Sequence, residues 1–143
     1  MEKLRNPIRK AERYLEEARQ ILDEKAGRDG KYYIEEKYVK MAGRTAWRGV
    51  LTALDPIFGI RKGSKRSYYV NYRDYKEAVS KVNGEMDIRR LLNVYEMLCW
   101  ALAWDGITSY PIVQDGLEEA QEIIEWAAKH YQGNKTDTIS AQS

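Results

Sequence analysis

A single histidine, a single cysteine and 22 carboxylates are the groups in this 143-residue chain from which acid–base, nucleophilic or metal chemistry would be built. A nucleophilic triad would have to use His130, and the sequence places it in the last turn of the final helix. A partly charged imidazole there simply complements the negative end of the helix dipole. Cys99 falls on the apolar stripe of another helix and is expected to be an inert core thiol. Its being alone excludes an internal disulfide and a cysteine-rich zinc site. Glu118, Glu119, Glu122 and Glu125 invite comparison with carboxylate-bridged di-metal centres. Those centres need inward-facing glutamates and Glu-x-x-His pairs on facing helices. Here the four glutamates fall between the apolar positions, on a solvated face, and no Glu-x-x-His occurs. No catalytic residue, metal ligand or cofactor is therefore assigned, and a non-enzymatic protein is expected.

Binding chemistry has a stronger signal. Arg61, Lys62, Lys65 and Arg66 put four cations within six residues of a glycine-containing segment, GIRKGSKRSYYV. Such a loop can turn backbone amides and cationic side chains toward phosphate groups. Tyr68 and Tyr69 follow directly, and their rings could stack on unpaired bases. The alternative is a solvated connector whose tyrosines anchor it to the body of the protein. The segment is not a nucleotide-triphosphate loop, because no Lys-Ser/Thr pair opens the next helix. Further tyrosines gather at Tyr32, Tyr33 and Tyr38 and at Tyr72 and Tyr75. They can line an interface, but more often such rings close the ends of a bundle with the hydroxyl in water. Trp100 and Trp104 lie beside Asp105, and Trp47 and Trp126 are expected nearby. Burial in the core is the expectation for these indoles; an exposed pair would mark an interaction patch.

The elements that must position these groups are helices. Asn6 is expected to cap a first helix with Pro7 at its first position, and Ile8, Ala11, Leu15, Ala18 and Leu22 make one apolar stripe. Gly27 ends it, and Arg28-Asp29-Gly30 reads as a turn. A second helix runs from Ile34 or Glu35 to Leu54 and carries Ala42, Gly43, Ala46, Gly49 and Ala53. Two glycines inside one helix predict a close backbone approach by neighbours, which makes this the central helix. Asp55-Pro56 is expected to break or kink it. A shorter helix is expected over 72–82, a third long one over Met86–Trp104, and a last one over Pro111–Gln132. Gly133 is expected to end the last helix, leaving 133–143 as a disordered polar tail. No sustained alternation of period two occurs, so strand content should be near zero. The fold expected is all-α: an antiparallel up-and-down bundle of four to five helices, with residues 1–132 as one domain.

Composition agrees with an ordinary globular protein, 43% apolar and 32% charged. The charged N-terminus lacks a secretory apolar core, and no run approaches a membrane span of roughly 18 residues, so a cytoplasmic protein is expected. Net charge is +2, unevenly spread: residues 1–90 hold 22 Lys/Arg against 14 Asp/Glu, and residues 91–143 hold 2 against 8. Such opposition suits either partner steering or the pairing of surfaces within the bundle or across a dimer.

The stretches NPIRKAERYLEEARQIL, KYVKMAGRTAWRGVLTALD, RKGSKRS, WDG and GLEEAQEIIEW together resemble a small bacterial family of uncharacterised helical domains, over about residues 6–128. More distantly, the helix order resembles the HEPN superfamily of antiparallel bundles, which includes RNA-cleaving toxins and the non-catalytic partners of small nucleotidyltransferases. Its ribonucleases use an arginine followed a few residues later by histidine. Arg44 and Arg48 sit on the corresponding helix, but neither has a histidine downstream at that spacing. The resemblance implies a helical bundle and a dimer, without nuclease chemistry. The expected role is a module acting through protein contacts, with a protein partner or with itself as a homodimer. The alternative is an accessory protein that binds nucleic acid or nucleotide through residues 61–66.

Overall fold

The computed structural model describes residues 2–58, 77 and 88–142, with side chains over 7–57, 77 and 89–130. Helix α1 (Glu2–Ile21) buries Ala11, Leu15 and Ala18, the stripe its spacing predicts, and runs on as a π-helical turn, Leu22–Ala26. It starts before Asn6, so Pro7 lies inside the helix rather than at its first position. So near a helix start, proline's missing N–H removes a single intrahelical bond, a cost the rest of the helix absorbs. After Gly27 the chain makes a two-residue hairpin, β1 (Arg28–Asp29) antiparallel to β2 (Tyr32–Tyr33), where the sequence suggests a turn without strands. Gly30 sits at the bend with a positive φ of 61°, a conformation that costs glycine little.

Helix α2 (Glu36–Phe58) continues through Asp55 and Pro56 without the expected break. Helix α3 (Ile88–Tyr95) passes directly into a π-helical stretch, Glu96–Trp104, which closes with the Asp105 N–H donating to the Trp100 carbonyl at 2.9 Å. Helix α4 (Tyr110–Gln142) passes straight through Gly133, ten residues beyond its expected end. A lone glycine lowers helix stability by about 1 kcal/mol but imposes no stop unless the chain also turns left-handed there. The loop 59–70 and, apart from the exposed, helical Glu77, the expected helix over 72–82 lie outside the described residues.

Contacts fix the directions. A Cβ added to Gly49 would lie 3.0 Å from the Ala11 carbonyl and 3.1 Å from Tyr14 Cβ, while Glu35 N–H donates to the Ala26 carbonyl at the other end. Helices α1 and α2 are therefore antiparallel. Trp47 meets Tyr95 at 5.9 Å between ring centres, and Glu36 abuts Gly106, so α2 and α3 are antiparallel too. Arg90 pairs with Glu122, and Gly116 faces Leu98, giving the same relation for α3 and α4. Arg19 donates to Gln121 Oε1 at 3.0 Å and ties α4 back to α1. The result is the expected up-down-up-down bundle, with α2 and α4 parallel on opposite corners and meeting across its centre.

Both internal glycines of α2 work as the sequence suggests. A Cβ on Gly43 would stand 2.6 Å from Leu102 Cβ, 2.7 Å from the Ala103 nitrogen and 2.8 Å from the Leu98 carbonyl. The α2 backbone is pressed against the broad π-helical stretch of α3 at one flank and against α1 at the other. One core results, from Leu15 and Ala18 through Val39, Trp47 and Val50 to Leu98, Leu102, Leu117 and Ile124.

Candidate interaction surface

The π-helical stretch of α3 presents the least expected feature. Trp104 is 66% exposed and Trp100 44% exposed, their rings 5.8 Å apart in an edge-on contact. The expectation that these indoles are buried is corrected here. The segment EMLCWALAW is apolar nearly all round, so its composition does not say whether the side opposite the Leu98–Leu102 stripe is covered. Leu98, Cys99 and Leu102, which continue the apolar stripe through Leu91 and Tyr95, turn inward, and both indoles turn outward. Trp100 rests edge-on against Tyr95 at 6.3 Å, and Tyr95 against the buried Trp47. The exposed pair is thus braced from beneath by the core.

Charged edges flank this face. On α2, Lys37 and Arg44 are exposed and Lys40 half-buried, with Lys40 ion-paired to Glu36 at 3.2 Å and close to Gly106 at the end of α3. Arg44, one turn on from Lys40, meets no carboxylate among the described residues, and Arg48 lies 5.8 Å over the Tyr14 ring. On α4, Asp115 and Glu122 are exposed and Glu119 half-buried. Glu122 reaches Arg90 of α3, which places this row of acids on the α3 side of α4.

The other candidate residues behave as follows. Cys99 is fully buried, and burial pushes its thiol pKa up, which disfavours the thiolate that attack would need. His130 stacks on Trp126 at 5.0 Å. Glu118, Glu122 and Glu125 are exposed, as their spacing predicts, and no group of three potential metal ligands occurs among the described residues. Tyr33 and Tyr110 close one end of the bundle, 5.6 Å apart, with Arg28 3.7 Å over the Tyr110 ring. Burial raises the Tyr33 pKa, partly offset by the hydrogen bond that Gln114 Nε2 donates to its hydroxyl at 2.8 Å. A groove of about 480 Å³ runs between α1 and α4, lined by Glu12, Glu16, Arg19, Gln121 and Glu125 over Leu15 and Ile124. The basic-loop residues Arg61, Lys62, Lys65, Arg66, Tyr68 and Tyr69 lie outside the described residues. No helix among the described residues is long and apolar enough to cross a membrane.

These features define a small up-and-down helical bundle with an exposed aromatic face between two oppositely charged edges. The chain belongs to a family described as a domain of unknown function, DUF5618, whose pattern matches residues 6–129. It is similar over nearly its whole length to a protein of unknown function from Dyadobacter fermentans, with 32% sequence identity and a TM-score of 0.70. That likeness covers 89% of this chain and 97% of the other. Among curated proteins, none matches the chain.

Proposed function

We propose that this chain is a non-enzymatic helical-bundle module that works through protein contacts made on its Trp100–Trp104 face. The observation that supports this reading is the pair itself: two adjacent, core-braced indoles turned to solvent on one helix. Tryptophan is the residue most enriched at the energetic centres of interfaces, and contiguous exposed apolar surface is uncommon on a monomer without a partner. The test is photo-crosslinking in cells with p-benzoylphenylalanine at position 100 and, as a control, at the exposed Glu17 on α1. A discrete protein adduct is expected from position 100 and none from position 17. Equal adducts from both positions, or none from position 100, would sink the reading.

A second reading is an accessory protein, HEPN-like in helix order, that binds nucleic acid or nucleotide through Arg61, Lys62, Lys65 and Arg66. It is favoured by the cations of α2, the helix that leads into this loop, because Lys37, Arg44 and Arg48 form no ion pair among the described residues. Binding of single-stranded RNA should then weaken linearly on a log–log plot against salt. Replacing all four loop cations by alanine should reduce affinity at least about tenfold, and unchanged binding would remove this reading.

A further inference from the structure

We infer that the occupant of the Trp100–Trp104 face is a second copy of this chain, related by a two-fold axis parallel to the bundle axis. This deepens the protein-contact reading and rests on it. Helix α3 stands between α2 and α4, so its exposed indoles are bordered by the Lys37–Lys40–Arg44 edge on one side and the Asp115–Glu119–Glu122 edge on the other. When two such faces meet about an axis along the bundle, left and right exchange while height is kept. Each basic α2 edge then lies against the acidic α4 edge of the other copy, twice over. A two-fold axis lying across the face would instead set basic edge on basic edge and acidic on acidic. Charge therefore selects between the two isologous arrangements.

Height gives an independent check. Gly43 of α2 and Gly116 of α4 both face the same Leu98–Leu102 turn of α3, so these two positions are level along the bundle. Counting equal rises from them puts Arg44 level with Leu117, between Asp115 and Glu119 of the other copy. The same count puts Lys40 level with Val113, beside Asp115. The two edges are thus in register at the height that the axis preserves. Trp100 stands at the level of Arg44, and Trp104 toward that of Lys40, each opposite its own twin.

Area explains why the indoles need these flanks. An aromatic side chain buries about 150–250 Å² at most, so a partly exposed pair supplies far less than the roughly 800 Å² per partner of a stable interface. The tryptophans make the centre and the charged edges the rim.

Two charge-reversed variants test the arrangement. Lys40→Glu with Arg44→Glu makes both edges acidic, and Asp115→Lys with Glu119→Lys makes both basic. Sedimentation equilibrium of the whole chain should show a dimer for the wild type and at least about tenfold weaker self-association for each variant alone. An equimolar mixture of the two variants should restore a 1:1 dimer. Trp100→Ala with Trp104→Ala should abolish dimerisation in every background. A wild-type chain that stays monomeric at millimolar concentration overturns the two-fold, as does a dimer indifferent to the reversals or a mixture that fails to recover. The position-100 crosslink separates the two claims. An adduct of twice the chain mass agrees with the two-fold, whereas an adduct of any other mass overturns it and leaves the protein-contact reading standing.

Discussion

Trp47→Ala should lower the unfolding free energy by about 3–5 kcal/mol, a fall in Tm of roughly 10 °C or more for a chain of this size. Trp47 is almost fully buried, packs on Tyr95, and lies on the central helix where α2 meets α3. Truncation opens a cavity in a site whose walls, α2 and the π-helical stretch, are already in backbone contact through Gly43 and cannot close inward. It also removes the support beneath Trp100. Trp47→Phe should cost much less, because the ring still fills most of the space and a buried indole N–H without an acceptor among the described residues disappears. Denaturant titration followed by far-ultraviolet circular dichroism measures both. Equal losses for alanine and phenylalanine would show that something other than filled volume makes Trp47 matter.

The second large effect is a contrast between glycines on facing helices. Gly43→Ala should destabilise the fold by about 1–3 kcal/mol, even though alanine favours a helix by about 1 kcal/mol. The added methyl would collide with the Ala103 nitrogen and the Leu98 carbonyl, and backbone cannot swing away as a flexible side chain can. Gly116→Ala should do the reverse, gaining up to about 1 kcal/mol, because its nearest neighbours stand at 3.6 Å, an ordinary contact. The pair is read in one series of denaturant midpoints. A stabilising Gly43→Ala would mean that α2 and α3 are not pressed together at that point.

The alternation of α1 shows why much of the fold was legible. Ala11, Leu15, Ala18 and Leu22 recur at helical spacing on an otherwise charged segment, so only one side can be buried, and it is. The paired glycines of α2 likewise announced close neighbours, because nothing else justifies their helical cost. Boundaries were less legible, since they depend on balances of about 1 kcal/mol. Pro7 and Gly133 each weaken a helix locally, yet α1 and α4 extend past them. The interaction face was the least legible feature. Helical spacing sets Leu98, Cys99 and Leu102 on one side and Trp100 and Trp104 on the other, but it does not say whether a neighbour covers the second side. With apolar residues at nearly every position there, no polar side marks the surface. The acid and base edges could be counted in the sequence, but their common height follows only from two glycines meeting one turn of α3.

The hairpin at one pole has a mechanical consequence. Tyr33 N–H donates to the Thr108 carbonyl and Tyr110 N–H to the Lys31 carbonyl, each at 2.8 Å, so two connections far apart in sequence are stitched together there. Helix α1 begins, and α4 finishes, at the opposite pole. Tension applied to those two antiparallel neighbours would peel them apart one turn at a time instead of shearing them as a block, and the stitched pole would be the last to yield.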